Sequence, residues 1–102
     1  MKGLGMDIDW RTIQVFLSPD GVFEVEVDNE NHFKARCTCP VFRASAKCKH
    51  VRYVRRKIDE NDGHYSILIP YEISEDEAVS AMQTPEDFRA FVLRHARVEV
   101  ID

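Results

Sequence analysis

All three cysteines of this chain lie in one short stretch, CTCPVFRASAKCKH, which spans residues 37–50 and ends in a histidine. Structural zinc sites bind the metal through four Cys or His ligands in a tetrahedron, and three thiolates with one imidazole are a common set. The four candidate ligands are Cys37, Cys39, Cys48 and His50. Four protein ligands leave no position for water, so the sequence predicts one structural Zn²⁺ and no catalytic metal.

The spacing of these residues limits the elements that can hold them. Cys37 and Cys39 stand two apart at the end of a predicted strand, which would point both side chains to one side. Pro40 then ends that strand because it has no N–H to continue the ladder. Cys48 and His50 would diverge by about 200° on a regular helix. We therefore expect Cys48 in the turn that enters a helix and His50 in its first turn.

Two other interpretations of the thiols stay open at this point. The cysteines can be small buried hydrophobic residues, with His50 an ordinary helix residue. Alternatively, Cys37 and Cys39 can form a CxC redox pair, which would leave Cys48 and His50 unexplained. Three thiols cannot all pair with one another, so a metal site accounts for the cluster better than a disulfide framework does.

The charges of the chain are unevenly distributed. Residues 31–58 contain no Asp or Glu and nine bases, whereas the rest of the chain holds five bases against 18 acids. The charge of +9 on residues 31–58 and the charge of −13 on the rest of the chain add up to the net charge of −4. The gap predicts a basic face on an acidic body. The bases expected to contact nucleic acid or a partner are Lys34, Arg36, Arg43, Lys47, Lys49, Arg52, Arg55, Arg56 and Lys57.

The N-terminal half of the chain has the hydrophobic pattern of a β-meander followed by a helix. Alternating residues predict three strands between residues 10 and 39, joined by turns at SPDG and DNEN. Ile13, Val15 and Leu17 are expected on the buried face of the first strand. A helix is expected from near Lys47 to ENDG, and its buried stripe is predicted to consist of Val51, Val54 and Ile58.

The C-terminal part is predicted to extend this unit with both strands and helices. HYSILIP, residues 64–70, is a candidate fourth strand, and VEVID a short closing strand. Ser74 with Glu77 forms the pattern of a capping box for a short helix. Thr84 followed by Pro85 indicates the start of a second helix. The predicted fold class is therefore α+β, a small antiparallel sheet with a C-terminal helical extension.

The stretch CTCPVFRASAKCKHVRYV resembles the SWIM zinc finger, whose signature is CxC, a variable gap and then CxH. Pro40 after the second cysteine, Phe42, and the apolar Val51 and Val54 after the histidine also match. The resemblance covers about residues 22–58. It implies two strands and a helix around one zinc, with the four candidate ligands named above, and a module that binds DNA or proteins.

We therefore expect a single domain over residues 1–102. In it, a zinc-stabilised, SWIM-like ββα unit at about 22–58 precedes a strand and helix extension at about 64–102. The expected function is a non-enzymatic module that binds nucleic acid, DNA in preference to RNA, or assists a DNA-acting partner, through a basic face at residues 34–57. The alternative is a protein-interaction adaptor that docks an acidic protein surface and whose zinc is purely structural.

Other function classes find little support in the composition. The chain is 44% hydrophobic and 31% charged, as in soluble globular proteins, and has no apolar run of the roughly 20 residues that span a membrane. MKGLGMDIDW lacks the apolar stretch of a secretory signal, so an intracellular location, cytoplasmic or nucleoid or nuclear, is expected. His32, His64 and His95 have no recognisable nucleophile nearby, and an enzyme with a small-molecule substrate is not expected.

Overall fold

The computed structural model describes residues 8–101, which form one mixed sheet and four helices. The strands are β1 (Trp10–Ser18), β2 (Gly21–Asp28), β3 (Asn31–Cys37) and β4 (Glu99–Val100), in the order β3-β2-β1-β4. The helices are α1 (Pro40–Ser45), α2 (Lys49–Glu60), α3 (Glu75–Ala81) and α4 (Pro85–His95). The α+β fold class, the antiparallel meander of β1 to β3 and the C-terminal helical extension are as predicted.

Two sequence expectations fall partly outside these residues. Most of the stretch considered for a signal sequence, residues 1–7, is not among the described residues, and neither is Asp102 at the end of VEVID. Within VEVID, Glu99 and Val100 form β4, which pairs in parallel with β1. None of the described helices has the length and apolar composition that a bilayer crossing requires.

The main core lies between the sheet and α2. It contains Val25 and Val27 of β2, Ala35 of β3, and the predicted apolar stripe of α2, which is Val51, Val54 and Ile58. This stripe is fully or almost fully buried. Helix α2 therefore begins within two residues of its predicted start, and it buries the face that the 3.6-residue period predicted.

Strand β1 departs from the predicted alternation. Leu17, expected on the buried face, is 45% exposed, whereas Phe16 is fully buried. The pairing of β1 with β2 shifts between Thr12 and Gln14. Such a shift moves every later side chain of the strand to the opposite face. The prediction for Leu17 was wrong because it assumed an unbroken ladder.

Helix α4 lies against the face of the sheet opposite α2. Glu24 alternates with the core residue Val25, so its side chain points away from α2. Its carboxylate accepts two hydrogen bonds from the Arg89 guanidinium of α4, at 2.9 and 2.7 Å. Val92 of α4 is also buried. Helix α2 packs on β2 and β3, and α4 packs on β1. Because Arg89 bonds to the side of β2 that points away from α2, the sheet has a helix on each face.

The two C-terminal helices begin where their caps predicted. The Ser74 hydroxyl accepts the Glu77 N–H at 3.1 Å, and the Thr84 hydroxyl accepts the Asp87 N–H at 3.0 Å. The Glu77 carboxylate lies 3.4 Å from Nε2 of His95 in α4, so it links the two helices. The capping residues therefore fix the start of each helix, and side chains join the pair.

Residues 64–70 form no strand, so the prediction of a fourth strand at HYSILIP was wrong. The Tyr65 N–H donates to Nδ1 of His32 at 3.0 Å. The Asn61 side-chain amide donates to the His64 carbonyl and to Ser66 Oγ. Burial does alternate along the segment, which is the pattern that suggested a strand. Side chains provide its hydrogen bonds at these positions, so the alternation arises without a β-ladder.

Candidate metal centre

The four predicted ligands meet at the junction of β3, α1 and α2. Cys37 ends β3, Cys39 precedes α1, and Cys48 and His50 lie at the start of α2. Their ligand atoms all lie within 4.8 Å of one another, and each residue is at most 6% exposed. A tetrahedral zinc with Zn–S bonds of about 2.3 Å separates its ligands by about 3.8 Å. The donor set and its spacing therefore fit one zinc ion after a small contraction.

Two helix starts hold two of the thiols. Cys39 is the N-cap of α1, and its Sγ accepts the Phe42 N–H at 3.4 Å. Cys48 is the N-cap of α2, and its Sγ accepts the Val51 N–H at 3.4 Å. Backbone N–H groups at a helix start favour the thiolate form. The sequence does not predict helix α1: Pro40 is expected to end a strand, but it also occupies the first position of this helix.

The His50 imidazole is held in one orientation. Its Nδ1 lies 3.6 Å from Cys37 Sγ, and its Nε2 lies 2.8 Å from Ser18 Oγ. The rings of Phe16 and Phe23 flank it at centroid distances of 5.0 and 5.5 Å. A metal-binding His commonly uses its second ring nitrogen in such a bond. Nδ1 is thus the atom that faces the cluster. Ser18, which the sequence does not predict as a site residue, orients the ring.

The protonation of the site responds to burial. Burial raises the pKa of the Cys37 thiol and the pKa of the Cys48 thiol, and it lowers the pKa of His50. A cation bound here must displace protons from these thiols, so metal binding is coupled to proton release. None of the three cysteines forms a disulfide. Convergence of all four ligand atoms favours a metal site over unrelated buried thiols or a redox pair of Cys37 and Cys39.

The structure distributes the nine predicted bases over several surfaces. Lys34 and Arg36 lie on the face of β3 that points away from α2, Arg43 lies on α1, and Lys57 lies beside Tyr53 on one flank of α2. The remaining five bases lie at the start and along the outer side of α2. We call these five the α2 basic surface: Lys47, Lys49, Arg52, Arg55 and Arg56.

Arg36 is turned away from the α2 basic surface. It forms an ion pair with Glu26, and its guanidinium lies 4.2 Å from the centroid of the Trp10 ring. Among residues 8–101, none of the other eight predicted bases forms an ion pair with another described residue. The structure therefore does not bring all nine bases onto one face, and it separates Arg36 from those on α2.

Comparison with known proteins gives one match. Residues 23–53 match the family model described as SWIM zinc finger. The match contains all four candidate ligands, and residues 1–22 and 54–102 lie outside it. No curated protein and no solved structure matches the chain. The match confirms the resemblance, and with the Cys₃His cluster it supports a zinc-binding module with one structural zinc.

Proposed function

We propose that this SWIM zinc finger belongs to a nucleic-acid-binding module, in which the zinc fixes the fold and the α2 basic surface contacts phosphates. One observation supports the proposal most directly. Within residues 8–101, no acidic side chain forms an ion pair with any of the five bases of that surface. Lys and Arg side chains that neutralise phosphates release counterions, which gives affinity without sequence readout.

The spacing of the bases suits a phosphate backbone. Lys49, Arg52 and Arg56 stand at positions i, i+3 and i+7 and therefore share one side of α2. At a rise of about 1.5 Å per residue this row is roughly 10 Å long. Phosphates of one DNA strand recur about every 3.4 Å along the duplex axis, so a row of this length can contact successive phosphates. The buried stripe of α2 holds the row in place.

The net charge of −4 limits how far this attraction reaches. The acidic body weakens the long-range field toward a polyanion, so the binding that we propose depends on close contacts. With five cations engaged, the logarithm of the binding constant should fall with the logarithm of salt concentration with a slope of about −3.5 to −4.5. Strong salt dependence is therefore part of the proposal.

Fluorescence anisotropy with labelled DNA of random sequence at low salt tests the proposed surface. The triple variant Arg52→Glu, Arg55→Glu and Arg56→Glu should abolish binding and leave the zinc content unchanged. A matched triple variant, Lys34→Glu, Arg43→Glu and Arg94→Glu, changes the net charge equally at exposed positions outside the surface and should keep most of the affinity. Undiminished binding by the first variant would show that the face is wrong.

A second candidate function is a protein-interaction adaptor, and strand β4 favours it. Glu99 and Val100 form an edge of the sheet, and Val100 is 73% exposed. Leu17, its partner on β1, and Val22, the next residue across on β2, are exposed as well. An edge strand can accept a strand from a partner. A stoichiometric protein complex that nuclease treatment leaves intact would support this function over nucleic-acid binding.

A further inference from the structure

A small cavity within the α2 basic surface is lined by three cations and by no carboxylate. Its volume is about 220 Å³, and its walls are Lys47, Cys48, Val51, Arg52 and Arg55. Lys47 comes from the loop before α2, whereas Arg52 and Arg55 stand three apart and lie on neighbouring positions of the helix. Cys48 and Val51 are buried. Three positive side chains thus surround one cavity, whose base is the apolar Val51 and the candidate metal ligand Cys48.

The size of the cavity selects a compact anion. Its 220 Å³ is about seven times the ~30 Å³ that a water molecule occupies in the liquid. It is smaller than the roughly 300–1,000 Å³ of sites that enclose whole small molecules. A phosphate group with a few waters fills this space, and the rest of a nucleotide would extend beyond it.

The charge of the lining favours a phosphomonoester over a phosphodiester. A phosphomonoester carries about −1.5 to −2 charges near pH 7, while each phosphodiester of a nucleic acid strand carries about −1. Three cations around one cavity match the larger charge. In a nucleic acid, a phosphomonoester occurs only at the end of a strand.

Arg55 is oriented for this role before any ligand binds. Its Nε donates a hydrogen bond to the Phe33 carbonyl of β3 at 3.3 Å. Among the described residues, this is the hydrogen bond that the Arg55 side chain makes, so its Nη groups remain available to a ligand. A guanidinium that already holds one backbone hydrogen bond loses less conformational freedom when it binds an anion.

We propose that this cavity binds the terminal phosphate of a nucleic acid strand, an inference that rests on the proposed nucleic-acid-binding function. An adjoining cavity of about 300 Å³ shares Lys47, Cys48 and Arg52 with it. Its other walls are Val41, Lys49, the carboxylate-bearing Asp20 and the candidate metal ligands Cys39 and His50. The adjoining cavity gives space for the nucleotide that carries the phosphate. The ligand class is therefore a strand end, bound through its phosphomonoester.

Three oligonucleotides of one sequence test this inference. They carry a 5′-phosphate, a 3′-phosphate or hydroxyls at both ends, with the fluorescent label placed away from the tested end. One phosphorylated form should bind about tenfold more tightly than the hydroxyl form, the effect of roughly 1.4 kcal/mol of added contacts. Equal affinities for all three would overturn the inference and leave the proposed function standing, since the hydroxyl form would still bind.

Adjacent arginines provide a matched pair of variants. Arg55 lines the cavity and Arg56 does not, although both are exposed on α2. R55Q should abolish the preference for the phosphorylated end, whereas R56Q should weaken all three oligonucleotides equally and keep the preference. Lys47→Gln should act like R55Q without touching the bond to Phe33. Persistence of the preference in both cavity variants, or its loss in R56Q, would contradict the assignment.

Free phosphate and phosphopeptides distinguish the source of the phosphate. Inorganic phosphate should compete with the phosphorylated oligonucleotide only at about a hundredfold higher concentration, because it lacks the contacts of the strand. A phosphoserine peptide should bind more weakly than the phosphorylated strand. Equal affinity for inorganic phosphate, or tighter binding of the phosphopeptide, would overturn the assignment to a nucleic acid end.

Discussion

Ser18 Oγ lies 2.8 Å from His50 Nε2, and this hydrogen bond joins the end of β1 to the candidate metal centre. Both residues are buried. When Nδ1 binds a metal, Nε2 keeps its proton and can donate a hydrogen bond to the Ser18 hydroxyl. The contact therefore holds the ring in the orientation that directs Nδ1 at the cluster, from a residue outside the segment that matches the SWIM zinc finger.

Replacing Ser18 with Ala should lower zinc affinity by about 10–100-fold, because the imidazole loses the bond that orients it. Competition with a chromophoric chelator measures the affinity, and ¹⁵N shifts of His50 report which ring nitrogen binds the metal. Ser80→Ala, at an exposed position of α3, is the matched control and should bind zinc like the parent chain. Unchanged affinity and tautomer in Ser18→Ala would rule out the positioning role.

Cys39→Ser should eliminate tight zinc binding and unfold the unit at residues 37–58. Structural zinc sites contribute on the order of 10 kcal/mol to folding, so the small core of this unit cannot compensate for the loss. Hydrogen exchange should show lost protection along α2 in particular. Val41→Ser changes an exposed residue between the ligands and should keep both zinc and protection. An unaltered melting profile for Cys39→Ser would contradict a structural role for the metal.

Neighbouring residues of α4 test how the C-terminal extension is held. Val92 is 1% exposed and Leu93 is 45% exposed. Val92→Ala should reduce the free energy of unfolding by about 2 kcal/mol, from two buried methyl groups and the resulting cavity. Leu93→Ala should reduce the free energy of unfolding by less than half as much. Urea unfolding measures the free energy for both variants. Similar losses for the two variants would mean that the burial of Val92 does not hold the extension in place.

His32 gives the fold a pH dependence of known sign. Its Nδ1 accepts the Tyr65 N–H at 3.0 Å. Burial, helped by the neighbouring His64 and opposed by Asp28, holds the pKa of His32 below its ordinary value. The unfolded chain therefore binds this proton at higher pH than the folded one, so stability rises with pH. The contribution of His32 to the free energy of unfolding is fully present above about pH 6.5, the ordinary pKa of histidine. It is lost as the pH falls through the lower pKa that His32 has in the folded chain.

His32→Asn should flatten this pH dependence, since Asn keeps an acceptor near the position of Nδ1 and does not titrate. Urea midpoints at about pH 7.5 and pH 5.5 measure the effect, over the range where histidine changes charge. Both proteins contain His50, so the difference between them isolates His32. The parent chain should lose more stability between the two pH values than the variant. Parallel losses would show that the bond to Tyr65 does not depend on His32 protonation.

Much of the zinc unit is predictable because its determinants are local. The turn SPDG, the apolar stripe Val51, Val54 and Ile58, and the divergence of Cys48 from His50 on a helix are properties of short segments. The short helix α1 was missed because Cys39 is an unusual N-cap and acts through its sulfur, a role that Ser, Thr, Asp or Asn usually fills.

The features that the sequence did not predict depend on long-range contacts. The register shift of β1 follows from its pairing with β2, and the parallel pairing of β4 joins residues far apart in the chain. Ser18 is 32 residues from His50, and no local pattern links them. The engagement of Arg36 with Glu26 and Trp10 likewise depends on which strands lie side by side. Periodicity gives the face of a residue but not its neighbour across the sheet.

Native mass spectrometry of freshly purified protein, handled without chelator or oxidant, tests the metal centre most directly. The mass of the parent protein should equal that of the chain plus one zinc, less the protons lost from the coordinating thiols. The Cys39→Ser variant should have the mass of its own chain without metal. The compact charge-state distribution of the parent chain should be lost when a chelator removes the metal. A parent chain that is reduced, compact and free of metal would contradict the central claim.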